Sequence, residues 1–123
     1  MVLVVDDRPE NRYVVCRILK KADYITVEAA TGQEAIQQAR QHRPDAIVLD
    51  MNLGGETGID VLKQLRAEAQ TASIPVVILT ATAHSSYDRN NAESAGASAY
   101  LFNPVEPDTL VSVVTGIIER PKQ

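Results

Sequence analysis

The sequence predicts an α/β fold: a single, doubly wound, five-stranded parallel sheet with helices on both faces. Short apolar runs alternate with amphipathic stretches along the 123 residues, and no change of composition marks a second domain. Three of the runs are apolar at successive positions, which is typical of parallel strands buried on both faces. Because crossovers between parallel strands are right-handed, the order βαβαβαβαβα predicts one open sheet within a domain of residues 1–123.

The strand candidates are five short runs. Val, Ile and Leu make up most of the three strongest, which are residues 2–5, 46–49 and 76–79. Residues 24–28 are more polar, so we expect this strand nearer an edge of the sheet. Residues 99–102 form a weaker candidate that leads into Asn103 and Pro104.

The first helix is predicted after Pro9, since proline is well tolerated in the first turn. Apolar residues then recur with a period of 3.6 at Val14, Val15, Ile18, Leu19 and Ala22. Cys16 is predicted to lie off this apolar stripe. It is the single cysteine of the chain, which excludes an internal disulfide and a zinc site built on several thiolates.

The remaining helices differ in the strength of their patterns. Thr31 and Glu34 predict a capping box at the start of the second helix, and a third is expected after Gly58. The fifth is rich in strand-forming residues, but Leu110, Val113, Val114, Ile117 and Ile118 fall on one helical stripe between Pro107 and Pro121. Residues 85–95 could bury little, so we expect a marginal fourth helix.

The charge balance narrows the class of protein. Asp and Glu total 16 against 12 Lys and Arg, and no basic run is present, so direct nucleic-acid binding is not expected. No apolar stretch approaches the length that spans a bilayer, and the N-terminus has no signal-peptide pattern. The sequence therefore predicts a soluble, cytoplasmic protein that does not bind membranes.

Polar residues follow the predicted strands at their carboxyl ends, where ligands bind in open α/β sheets. They are Asp6, Asp7, Asp50, Thr80 and Asn103. Three carboxylates that converge there would repel one another unless a cation offset their charge. Acidic oxygens with a few waters suit a hard divalent ion, so the sequence predicts a Mg²⁺ site.

Five motifs in this order resemble the response-regulator receiver domain of two-component signalling over nearly the whole chain. They are VLVVDD at residues 2–7, AIVLD ending at Asp50, VVILTA ending at Ala81, AESAGASAYL at residues 92–101, and Pro104. The resemblance implies the (βα)5 flavodoxin-like receiver fold. It also implies a domain that catalyses its own phosphorylation and dephosphorylation at most.

The same resemblance implies roles for individual residues. Asp50 would be the phosphoacceptor. Asp7 and Asp50 would bind Mg²⁺ directly together with the backbone carbonyl of Asn52, and Asp6 would act through bound water. Phosphoryl transfer depends mainly on in-line positioning and on cancelling charge at the equatorial oxygens, which fits such a site.

Thr80 and Tyr100 would form the switch, Thr80 engaging a phosphoryl oxygen and Tyr100 responding through its rotamer. The resemblance implies a histidine kinase or a phosphotransfer protein as the donor. It places the output partner on the fourth helix, fifth strand and fifth helix, a face that could also pair two copies of the chain.

Asn103 departs from the family, which normally has a lysine before the proline after the fifth strand, in a bond that is usually cis. One unit charge at ~4 Å in an effective dielectric near 20 is worth roughly 4 kcal/mol before desolvation. Two interpretations follow: Asp50 is still phosphorylated, with weaker switching, or the domain is a degenerate receiver that acts by contacts alone. Arg8 could supply a substitute charge or simply be solvated.

Overall fold

The computed structural model describes residues 1–80 and 86–119, with the backbone alone at residues 86–89. Five strands alternate with five helices, as the apolar runs predict. The elements are β1 (Val2–Val5), α1 (Pro9–Lys21), β2 (Thr26–Ala29), α2 (Gly32–His42), β3 (Ala46–Asp50), α3 (Gly58–Ala67), β4 (Val76–Thr80), α4 (Ser86–Ser94), β5 (Ala99–Phe102) and α5 (Pro107–Glu119).

The strands form one parallel sheet in the order β2-β1-β3-β4-β5. This confirms the doubly wound α/β fold. The strand predicted nearest an edge does lie at an edge, although it starts two residues later than expected, at Thr26. From β1 the chain first adds β2 on one side of the sheet and then adds β3, β4 and β5 on the other side. Ligands bind in such sheets where the direction changes, which here is beside the carboxyl ends of β1 and β3.

Alternate residues of the buried strands point to opposite faces and build two cores. On one face Leu3, Val5, Ile47, Leu49 and Ile78 pack with buried residues of α2 and α3. On the other face, Val2, Val4, Val48, Val77 and Leu79 pack with buried residues of α1 and α5. Burial on both faces explains why these strands are apolar at every position.

The apolar face predicted for α1 is confirmed at Val15 and Leu19 but was wrong at Val14 and Cys16. Cys16 is buried in the core with Val15 and Leu19, whereas Val14 is 54% exposed. Successive residues of a helix are about 100° apart, so Val14 and Leu19 cannot both lie at the centre of one face. The packing of α1 on the sheet selects the stripe that contains the small thiol.

The capping box predicted for α2 is formed in part. The Thr31 side chain accepts a hydrogen bond from the Glu34 N–H at 3.1 Å, so the predicted N-cap is confirmed. The Glu34 carboxylate, however, accepts from the Ala30 N–H instead of closing the box at Thr31. A complete capping box that the sequence analysis missed is formed by Thr57 and Asp60 at the start of α3.

The helical stripe of α5 is confirmed, with Leu110, Val114 and Ile117 buried. In α4 the buried residue among residues 90–94 is Ala92, in keeping with the small apolar face expected there. The predicted start of this helix at residue 85, together with Ala81 and Pro121, lies outside the described residues. Among the helices that the structure describes, none has the length and apolar character needed to cross a bilayer.

Candidate functional site

The register of the sheet brings the polar strand ends to one edge. Val5 pairs with Leu49, so the residues that follow them, Asp6 and Asp50, are neighbours across β1 and β3. Thr80 ends β4 and pairs with Phe102, the residue before Asn103. The strand ends predicted from sequence therefore all meet at the carboxyl edge of the sheet.

Three carboxylates form a cluster at this edge. Asp6, Asp7 and Asp50 each place one oxygen so that all three oxygens lie within 4.8 Å of one another. Asp6 and Asp50 are 5% and 8% exposed, whereas Asp7 is exposed. Two of the acids are thus largely withdrawn from water with a third close by, an arrangement that costs free energy unless positive charge offsets it.

The electrostatics of the cluster follow from its burial. Desolvation raises the pKa of Asp50 to about 6, and the negative charges of Asp6 and Asp7 add to the shift, while the Asn52 N–H and Arg8 act against it. Burial also raises the pKa of Asp6 above its ordinary value, opposed by hydrogen bonding from the Arg8 N–H. Both carboxylates would be stabilised by a bound cation.

The backbone of the loop between β3 and α3 lies next to the cluster. The Asn52 N–H donates to Asp50 Oδ2 at 3.1 Å, and Asn52 forms an antiparallel bridge with Thr57. Gly54 has φ +63°, and a Cβ there would lie 3.0 Å from Asp7 Oδ2. The backbone of this loop therefore approaches both Asp50 and Asp7 closely, which places the Asn52 backbone next to the carboxylates.

Thr80 and Asn103 continue the edge on the other side of Asp50. Thr80 is 2% exposed, and its carbonyl accepts a hydrogen bond from the Asn103 N–H at 2.7 Å. The peptide bond between Asn103 and Pro104 is cis, as expected from the resemblance. Asn103 lines a cleft of about 320 Å³ together with Asp6 and Arg8.

Tyr100 lies away from the carboxylates, in the core beside the site. It pairs with Ile78 two residues before the ends of β4 and β5, and it is 6% exposed. Its ring meets that of Phe102 edge to face, with centroids 5.5 Å apart. Phe102 is 40% exposed, so these two rings run from the core to the surface of β5.

Two polar residues that the sequence analysis missed support Asp6. Arg12 Nη1 donates to the Asp6 carbonyl at 2.8 Å, and its Nε donates to Glu28 Oε1 at 3.1 Å. Asn11 hydrogen-bonds the Asp6 side chain. No periodic pattern in the sequence identifies these contacts, since they depend on how α1 lies across the ends of β1 and β2.

The donor set fits a hard divalent cation. Three carboxylates within 4.8 Å, two of them buried, supply oxygen ligands and excess negative charge, and the Asn52 backbone contacts one of them through its N–H. Magnesium is commonly held by one or two carboxylates together with waters and phosphate oxygens, which this open edge would allow.

Comparison with known protein families gives the same family as the motifs. Residues 2–115 match the model described as "Response regulator receiver domain". The chain is a response regulator receiver domain. Such domains act in two-component signal transduction and interact with histidine kinases.

Individual relatives of this receiver domain cover it almost completely. The protein PilH of Pseudomonas aeruginosa is 32% identical over 117 residues, which are 95% of this chain and 96% of PilH. The phosphate regulon transcriptional regulatory protein PhoB of Escherichia coli is 36% identical over 119 residues, 97% of this chain and 52% of PhoB. The receiver domain thus spans about half the length of PhoB.

Solved structures show the same fold. A putative response regulator from Chloroflexus aurantiacus superposes with a TM-score of 0.90 at 35% identity, covering 97% of both chains. The receiver domain of the sensor histidine kinase PA1611 from Pseudomonas aeruginosa has a TM-score of 0.87 at 30% identity and the same coverage. That structure contains a magnesium ion coordinated in the active site cleft.

Proposed function

We propose that this receiver domain is a phosphorylation-controlled switch in which Asp50 accepts a phosphoryl group. The observation that carries the proposal is the cluster of Asp6, Asp7 and Asp50 at the carboxyl edge of the sheet. The donor would be a phosphohistidine of a histidine kinase or a phosphotransfer protein. The interaction of receiver domains with histidine kinases supports that choice.

The reaction would exchange one bond to phosphorus for another. A carboxylate oxygen of Asp50 forms a bond to phosphorus while the bond from phosphorus to the donor's imidazole nitrogen breaks. The electron pair of the broken bond returns to that ring nitrogen, and with a proton on the other ring nitrogen the donor is left with a neutral imidazole. Asp50 must be ionised to attack, so its raised pKa of about 6 favours reaction at neutral rather than acidic pH.

The residues that would hold Mg²⁺ are Asp7 and Asp50 through their carboxylates, Asn52 through its backbone carbonyl, and Asp6 through bound water. When bound, magnesium would offset the charge of the carboxylates and of the equatorial phosphoryl oxygens. The magnesium ion in the cleft of the PA1611 receiver domain supports this assignment.

Asn103 would serve the phosphoryl group with an amide instead of an ammonium group. An amide donates hydrogen bonds but carries no charge, so we expect slower phosphorylation than a lysine would allow. Arg8 is a candidate for a substitute charge, because it lines the cleft with Asn103 and lowers the pKa of both buried aspartates.

Thr80 and Tyr100 would transmit the phosphorylation state. The Thr80 hydroxyl would engage a phosphoryl oxygen, and the Tyr100 ring would differ in position between the two states. Since this ring is buried in the structure, its other position would be more exposed. The output partner, a protein rather than nucleic acid, would bind α4, β5 and α5, a face that could also pair two copies of the chain.

The degenerate receiver is the second candidate function, and Asn103 is the observation that favours it. In that case the domain would bind partners through its surface with no phosphoryl chemistry. Beryllofluoride with Mg²⁺ separates the two, since this phosphoryl mimic should perturb the amide spectrum around Thr80 and Tyr100 only in a working switch. We place either form of the domain in the cytoplasm, where its kinase partners present their phosphohistidines.

The deciding experiment is intact-mass measurement after incubation with acetyl phosphate and Mg²⁺. The wild-type domain should gain the mass of one phosphoryl group, and Asp50→Ala should gain none. The gain should disappear when EDTA replaces Mg²⁺. An unmodified wild-type domain, or equal modification of Asp50→Ala, would overturn the assignment of Asp50.

A further inference from the structure

A carboxylate from the loop after Asp50 is bound to the start of a distant helix. Glu56 Oε1 accepts a hydrogen bond from the Gly32 N–H, the first residue of α2, at 2.9 Å. The contact joins two segments 24 residues apart. It links the loop beside the acidic cluster to a helix that contributes none of the proposed site residues.

The Glu56 carboxylate complements the N-terminus of α2 both as a hydrogen-bond acceptor and in charge. The first N–H groups of a helix have no intrahelical acceptor, and the N-terminus carries partial positive charge. Thr31 already caps the Glu34 N–H, and Glu56 takes the N–H of Gly32. Because its acceptor is a carboxylate, this contact is of the stronger, charge-assisted kind.

The helix leaves space for this carboxylate because its first residue is glycine. A Cβ on Gly32 would overlap the Glu56 carboxylate and would lie 2.7 Å from Val61 Cγ2. Gly32 is buried although it begins a helix, which shows how closely the loop and α3 pack against it. A side chain at position 32 would displace Glu56.

The loop that Glu56 holds also contains Asn52. The Leu53 N–H donates to the Glu56 carbonyl at 3.0 Å, and Asn52 bridges to Thr57 on the other side of Glu56. Between them Gly54 and Gly55 both have positive φ, and glycine gives the backbone freedom instead of rigidity. An anchor outside the loop therefore has a large influence on where the Asn52 backbone rests.

We propose that Glu56 is a positioning residue that sets the magnesium affinity of the site. By capping α2 it holds the loop of residues 51–57 so that the Asn52 carbonyl stays beside Asp7 and Asp50. The inference rests on the proposed function, since it assumes that the acidic cluster binds Mg²⁺. It adds a chain segment, the N-terminus of α2, to the determinants of that affinity.

Isothermal titration of Mg²⁺ into the whole chain tests the proposal. Glu56→Ala should weaken binding by about 10-fold, the lower end of the usual loss when a group supporting a metal ligand is removed. Glu56→Gln keeps an acceptor oxygen for the Gly32 N–H and should recover most of the affinity. Thr31→Ala is the matched control, because it removes another cap of α2 without touching the loop, and its affinity should equal that of the wild type.

A double-mutant cycle separates positioning from a general loss of stability. Gly32→Ala should weaken Mg²⁺ binding in the wild-type background and should weaken it less in Glu56→Ala, where the Gly32–Glu56 contact is already gone and only the close approach to Val61 remains. Amide hydrogen exchange without Mg²⁺ should speed up across residues 51–58 in Glu56→Ala and stay unchanged there in Thr31→Ala.

Two outcomes would overturn the inference alone. One is wild-type affinity in Glu56→Ala, and the other is an equal loss in Thr31→Ala, which would show that helix stability and not the loop is responsible. A wild-type chain that binds no Mg²⁺ would overturn the proposed function and this inference together, so the wild-type titration distinguishes the two failures.

Discussion

Asp6 and Asp50 lie side by side at the edge of the sheet because Val5 and Leu49, the residues before them, are paired in neighbouring parallel strands. Both carboxylates are largely buried, and the negative charge of Asp6 adds to the burial that raises the pKa of Asp50. The site therefore holds more negative charge than the neighbouring Arg8 offsets. A cation or protonation must supply the compensation, and this has consequences for stability.

Asp50→Asn should stabilise the domain at pH 7 without Mg²⁺. The pKa of Asp50 is raised from 3.8 to about 6 in the folded state, so folded protein binds more protons than unfolded protein between these values. Unfolding free energy then falls as pH rises from about 4 to 6, by on the order of 2 to 3 kcal/mol. Urea unfolding of both proteins at pH 4 and pH 7 measures the difference, which should appear at pH 7 only.

Glu93→Gln is the control for this stability effect, since Glu93 is exposed on α4, and it should change stability by less than about 0.5 kcal/mol. Saturating Mg²⁺ should reduce the advantage of Asp50→Asn, because the cation compensates the wild-type charge. An Asn variant that is equally stabilised at pH 4 would contradict the electrostatic explanation.

Asn103→Lys should speed phosphorylation of Asp50 by acetyl phosphate. The ammonium group would offset charge on the phosphoryl oxygens, and a gain of about 10-fold corresponds to only about 1.4 kcal/mol of the Coulomb energy available. Intact-mass time courses give the rate. Asn103→Gln lengthens the side chain without adding charge, so its phosphorylation rate should stay near that of the wild type. Equal gains in both variants would show that side-chain length and not charge is responsible.

Thr80→Val should separate phosphorylation from switching. Valine keeps the shape of threonine but lacks its hydroxyl, so Asp50 should still be modified while the response near Tyr100 is lost. Amide and aromatic NMR shifts before and after beryllofluoride addition report the response, with Tyr100 and Phe102 as the signals to follow. Unchanged Tyr100 shifts in the wild type, or a full response in Thr80→Val, would exclude this role of the hydroxyl.

Gly58→Ala should destabilise the domain by about 2 kcal/mol or more. A Cβ at Gly58 would lie 2.5 Å from the Asp50 carbonyl oxygen and 3.2 Å from Met51 Cα, so backbone next to the site must move. Gly116→Ala in α5 is the matched control: its Cβ would meet nothing within 4 Å, and it should stabilise the helix by about 0.5 to 1 kcal/mol. Urea unfolding of the two variants should give shifts of opposite sign.

Much of the fold follows from local patterns in the chain. Runs apolar at every position could be read as buried strands, and the stripe of Leu110, Val114 and Ile117 identified α5 against its strand propensity. The acidic cluster was predictable for a related reason: residues that follow parallel strands share one edge. The exact face of α1 that packs on the sheet was not predictable. Val14, Val15 and Cys16 belong to competing apolar stripes, and only contact with the sheet selects among them.

The order of elements and the residues that meet at the carboxyl edge of the sheet follow from the sequence, because periodicity and strand ends are properties of neighbouring residues. The contacts of Arg12 with the Asp6 carbonyl and of Glu56 with the Gly32 N–H, in contrast, depend on how the elements pack. Such contacts join segments that no local pattern relates. They form because packing brings a donor and an acceptor together out of water, where leaving either unpaired would be costly.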